Sequence, residues 1–277
     1  MKDEKSMSPE GLFDSHAHYF DGRFEEVEGG ADAILRTEVF GAGVAGVVNV
    51  ATDPDNALRC IAQAQRYPGM YAAVGIHPED CKALSGTPEE EIGKIRALMD
   101  TPEKRRAHKI VALGEIGLDY YWEPYEKELQ AVYFEKQLAL ARELSLPVLI
   151  HDREAHGDCF ETVLRYPGVT GVFHSFSGSA EMARELTRRG WYISFSGVVT
   201  FKNARRVREV ARTVPSDRLL IETDCPYLTP EPYRGRLNHS GRMAYTAAAL
   251  AELLDMTPAE LARLTRENAL RLFGLEG

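Results

Sequence analysis

Short apolar runs rich in β-branched residues alternate along the chain with longer amphipathic stretches, and that alternation predicts a fold class. Leu12-Phe13 leads into Asp14-Ser15-His16-Ala17-His18 as a first strand; Ala33 to Gly43 reads as a helix, and Ala45-Gly46-Val47-Val48-Asn49-Val50 as a fully buried strand. Strand-like runs recur at Tyr71 to Ile76, Ile110 to Gly114, Pro147 to Ile150, Gly171 to Phe173, Trp191 to Phe195 and Leu219 to Ile221, with helical segments between. The clearest helix follows Tyr125, where Leu129, Val132, Tyr133, Leu140 and Leu144 fall at helical spacings and predict one face packed on a sheet. Eight strands each followed by a helix, at roughly 30 residues per unit, match an α/β fold of the (β/α)8 TIM-barrel class; a doubly wound sheet is the competing arrangement. Met243, Ala247, Leu250 and Leu254 mark an extra C-terminal helix. Thr257-Pro258-Ala259-Glu260 has the form of a capping box opening another.

Length and composition narrow the function classes. The 277 residues suit one barrel, and 44% hydrophobic with 27% charged residues excludes disordered and fibrous classes. Residues 1–11 (MKDEKSMSPEG) read as a disordered leader, leaving 12–277 as a single domain. A formal net charge of −9 rules out long-range attraction of nucleic acid by the protein as a whole, so any polyanion must be gripped locally. No run is long enough to span a bilayer. The four cysteines, Cys60, Cys81, Cys159 and Cys225, are scattered without a C-x-x-C, which predicts a reduced, cytoplasmic protein without disulfides.

The candidate chemistry gathers where apolar runs end. His16 and His18 are one residue apart on a strand, so both imidazoles share a face and can reach one ion. Glu115, His151, His174 and Asp224 each follow an apolar run in the same way, and in a barrel those strand ends form one face. Any one of them is ordinarily a hydrogen-bonded strand-end residue; six at matching positions point to a metal centre. Six ligands exceed one tetrahedral ion, so two divalent ions are expected. Glu115 is the expected bridge, with His16, His18 and Asp224 completing one ion and His151 and His174 serving the other. Such a centre acidifies a shared water to a nucleophile near neutral pH, and its surplus positive charge suits a phosphate. His77 and Arg153 are placed to bind phosphate oxygens, and Tyr120, Tyr121 and Trp122 to stack on an unpaired base. Strand-end packing, an ion pair and aromatic packing are the plainer alternatives for these residues. Lys202, Arg205, Arg206 and Arg208 read more simply as a solvated helix face than as a polyanion path.

Six blocks together resemble the TatD family of metal-dependent deoxyribonucleases, within the amidohydrolase-like barrels. They are FDSHAH, Val74-Gly75-Ile76-His77-Pro78, Gly114-Glu115-Ile116-Gly117-Leu118-Asp119-Tyr120, Ile150 to Ala155, Phe173 to Ser179 and Glu222 to Leu228. The resemblance runs from about Leu12 to Leu275. It implies a (β/α)8 barrel, a two-metal site (Mg²⁺, Mn²⁺ or Zn²⁺) on His16, His18, Glu115, His151, His174 and Asp224, and hydrolysis of DNA phosphodiesters. Digestion from the 3′ end of single-stranded or frayed DNA is the implied polarity. Asp224 would accept the proton of the attacking water, with Glu115 beside it in catalysis. Arg234 and Asn238 follow in the family order as substrate-binding residues. One departure stands out: where the family continues its Arg-Gly stretch with Lys-Arg-Asn-Glu-Pro, this chain reads Arg234-Gly235-Arg236-Leu237-Asn238-His239-Ser240-Gly241-Arg242. That substitution bears on substrate choice rather than on metal binding. Two other functions use the same residues: a metal-dependent ester or amide hydrolase, such as an aminoacyl-tRNA deacylase or small-molecule amidohydrolase, and a non-enzymatic barrel holding metal structurally. The expected state is a monomer with no membrane partner.

Overall fold

A computed structural model of the chain describes residues 8 and 10–276. Most of the expected leader, residues 1–7 and 9, lies outside the described residues. The strands are β1 (Phe13–Ala17), β2 (Gly46–Val50), β3 (Met70–Val74), β4 (Ile110–Asp119), β5 (Val148–Arg153), β6 (Gly171–Phe173), β7 (Tyr192–Phe195) and β8 (Leu219–Ile221). The helices are α1 (Gly30–Ile34), α2 (Pro54–Arg66), α3 (Pro88–Met99), α4 (Pro102–His108), α5 (Lys127–Leu144), α6 (His156–Leu164), α7 (Ala180–Arg188), α8 (Arg205–Ala211), α9 (Met243–Leu253) and α10 (Pro258–Phe273). The eight strands neighbour one another in sequence order, the topology of a (β/α)8 barrel. A doubly wound sheet requires the strand order to reverse, and it does not. None of the described helices is long and apolar enough to cross a membrane.

Two compact units divide these elements, Asn49–Gly178 and the pair of segments Met1–Val48 and Ser179–Gly277. In the first, β4 pairs in parallel with both β3 and β5, and Gly117 lies opposite His151. Gly117 has φ 149°, and a Cβ there would run into the His151 carbonyl oxygen, so only glycine allows the two strands this approach. β4 continues five residues past the predicted end at Gly114, through the polar Glu115 to Asp119. All ten of its residues are buried.

Helix α5 packs on β4, but its buried stripe differs from the predicted one. Tyr133 and Leu140 are buried as predicted and Leu129 and Leu144 are half-buried, but Val132 is 42% exposed, and Gln130, Phe134, Gln137, Leu138 and Ala141 complete the inward face. The two glutamines, one heptad apart, each satisfy both groups of a strand-end peptide. Gln137 accepts from the Ile76 N–H (2.8 Å) and donates to the Ile76 carbonyl (3.0 Å); Gln130 does the same for Asp119 (3.0 and 2.9 Å). A buried glutamine there replaces the ladder partners the strand ends lack.

In the second unit, Ala17 bridges Cys225 in parallel, His18 N–H donates to the Cys225 carbonyl (2.8 Å) and Asp224 N–H to the His16 carbonyl (2.9 Å). The end of β1 is thereby locked to the segment that follows β8. Predicted helix 33–43 instead begins at Gly30 and passes at Leu35–Val39 into a π-helical turn. The capping box of α10 is present: Thr257 Oγ1 accepts from Glu260 N–H (3.2 Å) and Glu260 Oε2 from Thr257 N–H (2.8 Å). Asn268 of α10 donates to the carbonyls of Ser216 (2.7 Å) and Leu219 (2.9 Å), tying the helix to the root of β8. All four cysteines are free and buried.

Candidate metal centre

In the unit Met1–Val48 with Ser179–Gly277, His16, His18 and Asp224 offer nitrogen and oxygen atoms within 4.8 Å of one another. His16 Nε2 is 3.1 Å from His18 Nε2, and Asp224 Oδ1 is 3.3 Å from His18 Nε2 and 3.9 Å from His16 Nε2. The shared strand face explains the pair of imidazoles. Asp224 arrives differently: it sits just past β8 in a left-handed conformation, φ 55°, a backbone that costs of order 1–3 kcal/mol in a non-glycine residue and has to be held by its surroundings. Asp14, fully buried, supplies part of that hold. Its Oδ1 accepts from the backbone N–H of His16 (3.2 Å) and of Thr223 (3.0 Å), and its Oδ2 from the Thr223 hydroxyl. Burial pushes the Asp14 carboxyl up to about 7 against the opposing effect of these hydrogen bonds.

In the unit Asn49–Gly178, Glu115 is 3% exposed and its Oε1 is approached by three imidazoles. His151 Nδ1 lies at 2.7 Å, His174 Nε2 at 2.8 Å and His77 Nε2 at 3.6 Å. His151 Nε2 is 2.9 Å from Asp119 Oδ2, whose other oxygen accepts from the N–H groups of Tyr121 (2.8 Å) and Trp122 (3.3 Å). A proton held on Nε2 by Asp119 leaves the Nδ1 lone pair for a metal, the usual carboxylate–imidazole arrangement at such centres. Burial works against a charged His151, but hydrogen bonds to Asp119 and Glu115 outweigh it and push its pKa up to about 9. His77 is the reverse case. Its Nδ1 accepts from Glu79 N–H (3.2 Å), so the proton sits on Nε2, which then faces the cluster as a donor rather than as a ligand.

The remaining candidates take distinct places. Arg153 lays its guanidinium over the rings of Tyr121 (3.9 Å) and Trp122 (5.2 Å), each 51% exposed. Tyr120 donates its hydroxyl to Asp158 (2.8 Å) and stacks on Tyr125, so its ring is already engaged. Arg234 is exposed over Phe201 (4.3 Å). Asn238 is fully buried, and both amide hydrogens go to backbone carbonyls, of Thr223 (3.1 Å) and Tyr227 (2.7 Å), which fits it to shaping the Asp224 loop rather than to touching a substrate. Asp119 was not among the predicted site residues. Its signal was the spacing: Glu115 and Asp119 are four apart on one strand and therefore share a face.

The donor sets suit divalent metals. Neutral imidazole and carboxylate together accept Zn²⁺ or Mn²⁺, and Mg²⁺ where oxygen ligands dominate. The family described as TatD related DNase matches residues 13–274. The metal-dependent hydrolase YabD of Bacillus subtilis, itself of uncharacterised activity, is 43% identical over 270 residues, covering 95% of this chain and 98% of that protein. The corresponding TatD of Mycobacterium tuberculosis is 39% identical over 242 residues, 84% of this chain and 88% of its own. The crystal structure of YjjV, a TatD homologue from Escherichia coli, superposes with a TM-score of 0.86 at 30% identity over 97% of this chain and all of that one. The chain therefore belongs to the TatD-related family of metal-dependent hydrolases.

Proposed function

We propose that residues 12–277 work as one hydrolase domain that cleaves phosphodiester bonds at the 3′ ends of single-stranded or frayed DNA, with one divalent ion held by each donor cluster. The observation that carries the reading is the convergence of His151 Nδ1 and His174 Nε2 on Glu115 Oε1, at 2.7 and 2.8 Å, with the carboxylate 3% exposed. The family's description as a DNase supplies the substrate class. His16, His18 and Asp224 would hold one ion, and Glu115, His151 and His174 the other. Divalent ions there supply Lewis acidity and lower the pKa of water toward neutrality.

The chain's own groups do the rest. Asp224 Oδ accepts the proton of the attacking water. His77 Nε2–H donates to a phosphate oxygen, since its Nδ1 is committed to the Glu79 N–H. Asp119 holds the His151 ring in one tautomer and orientation. Arg153, held against the rings of Tyr121 and Trp122, offers its fork to a second phosphate oxygen, and the exposed rings beside it offer a face to an unpaired base. A net charge of −9 fits a short grip on a strand end better than a long duplex interface. We assign the enzyme to the cytoplasm, in keeping with its four unpaired cysteines, and expect a monomer.

The test is digestion of 3′-labelled and 5′-labelled single-stranded DNA by chelated protein with Mg²⁺, Mn²⁺ or Zn²⁺ restored, beside a Glu115→Ala control. Metal-dependent loss of 3′-terminal nucleotides by the wild type alone is expected. Equal inertness of wild type and control, with metal bound to the wild type, would overturn the nuclease reading and turn attention to carboxylic esters and amides.

A further inference from the structure

The segment that departs from the family pattern carries a histidine, and two arginines close to one aromatic ring. His239 precedes, and Arg242 ends, the single 3-10 turn Ser240–Arg242. The Arg242 charge acts on the His239 ring, so the two side chains lie near one another. The loop is fixed in place: Ser240 N–H donates to the Tyr19 hydroxyl (2.9 Å), Asn238 N–H to the Pro226 carbonyl (3.1 Å), and a Cβ on Gly241 would run into the Glu38 carbonyl. In this fixed loop His239 Nδ1 and Arg242 Nη1 are buried and have no hydrogen-bond partner among the described residues. Two such groups on one turn are costly unless something accepts from them.

The surroundings say what that acceptor is. Arg242 (4.8 Å) and the exposed Arg236 (5.7 Å) both bring their guanidiniums to the Tyr233 ring, and the charge of Arg236 acts on Arg242. Glu38 is the carboxylate near enough to act on Arg242, and among the described residues no ion pair joins them. His239 is pushed down to about 4, first by burial and then by the Arg242 charge, so at neutral pH it is an uncharged N–H donor or acceptor rather than a further repelling cation. A compact oxyanion that accepts from a guanidinium and an imidazole at once relieves both the unmade hydrogen bonds and the paired charge.

We propose that His239 and Arg242, backed by Arg236 and Tyr233, form a pocket for a phosphoryl oxyanion, supplied by a phosphate of the substrate other than the one cleaved. The pocket belongs to the loop that follows β8 and also carries Asp224, so a phosphate held there ties the substrate to one side of the candidate metal centre. Its identification with a nucleic-acid phosphate rests on the nuclease reading; the binding of a phosphoryl group does not.

The experiment uses the full chain with Glu115→Ala to suppress turnover, loaded with metal and titrated calorimetrically. The probes are inorganic phosphate, a thymidine dinucleotide, and the same dinucleotide with a 5′-phosphate. Arg242→Gln and His239→Glu, each added to that background, are expected to weaken phosphate binding by about tenfold or more, the loss of one charge-assisted contact, while Arg242→Lys weakens it less. Phosphate affinity unchanged in both Arg242→Gln and His239→Glu overturns the pocket whatever the enzyme's reaction. A loss confined to the 5′-phosphorylated dinucleotide assigns the pocket to a terminal phosphate, and an equal loss for both dinucleotides assigns it to an internal one. Weakened phosphate binding with both dinucleotides unaffected keeps the pocket and overturns a nucleic-acid phosphate as its occupant.

Discussion

Asp119 Oδ2 lies 2.9 Å from His151 Nε2, on the far side of the imidazole from Glu115. The ring is thus held at both nitrogens, and removing Asp119 frees its tautomer and its tilt without touching a candidate ligand. Asp119→Asn is expected to lower affinity for the ion on the Glu115 cluster by ~10–100-fold, the usual cost of losing a carboxylate behind a ligating imidazole. Metal titration followed by competition with a chelator measures it. An unchanged affinity would separate Asp119 from the centre.

Gly117 predicts a sharper loss. Its φ of 149° and the carbonyl of His151 against its Cα leave no room for a methyl group. Gly117→Ala should destabilise the protein by about 2–4 kcal/mol through overpacking and backbone strain together. It should also displace His151, so metal affinity falls with stability. Urea denaturation and metal titration of the same variant read the two effects.

The glutamines of α5 give a prediction of the opposite kind, in which polarity rather than volume matters. Gln137→Leu preserves most of the packing but leaves the Ile76 N–H and carbonyl buried without a partner, at a cost of about 1–3 kcal/mol for each unsatisfied group. Gln137→Glu keeps an acceptor for the N–H and, while burial holds the carboxyl protonated, a donor for the carbonyl. It should therefore fall between wild type and Gln137→Leu at low pH and lose stability as pH rises and the group ionises. Chemical denaturation midpoints order the three.

The pH dependence of stability should carry a mark of His239. Burial and the Arg242 charge hold it at about 4 in the folded chain, against an ordinary value of 6.5. The unfolded chain therefore takes up the proton first. The stability this residue contributes is fully present above pH 6.5 and is lost as pH falls from 6.5 to 4, by on the order of 2–3 kcal/mol. In phosphate-free buffer the wild type should lose stability relative to His239→Gln across that window, and the two curves should run parallel above it. Parallel curves throughout would mean that His239 is not held neutral by the fold.

The sequence made some of this legible and hid the rest for identifiable reasons. The alternation of runs yielded the eight strands, and the two-residue spacing of His16 and His18 placed both rings on one face, because strand periodicity is short and strict. β4 was cut at Gly114 because the apolar run stops there, although the strand goes on to Asp119 with buried polar side chains turned inward. On α5 the spacing of aliphatic residues selected Val132, which is exposed, while the stripe that packs includes two glutamines that hydrophobicity alone assigns to solvent. The segment from Arg234 to Arg242 has no periodicity, so only its departure from the family pattern marked it. The role of Asn238 is visible only in its hydrogen bonds, and that of His239 only in a buried ring nitrogen left without one among the described residues.

The four cysteines have a practical consequence. Each thiol is buried, and burial raises all four above their ordinary range, so none is both exposed and ionised near neutral pH. A thiol-specific reagent should meet almost nothing in the native protein and four reactive groups once it opens. Cys60 and Cys159 lie in the unit Asn49–Gly178, as does Cys81, whereas Cys225 neighbours Asp224 in the other. Labelling rates at these positions would therefore act as built-in clocks for the opening of each half, and would show whether loading one cluster with metal slows the release of its own half alone or of both together.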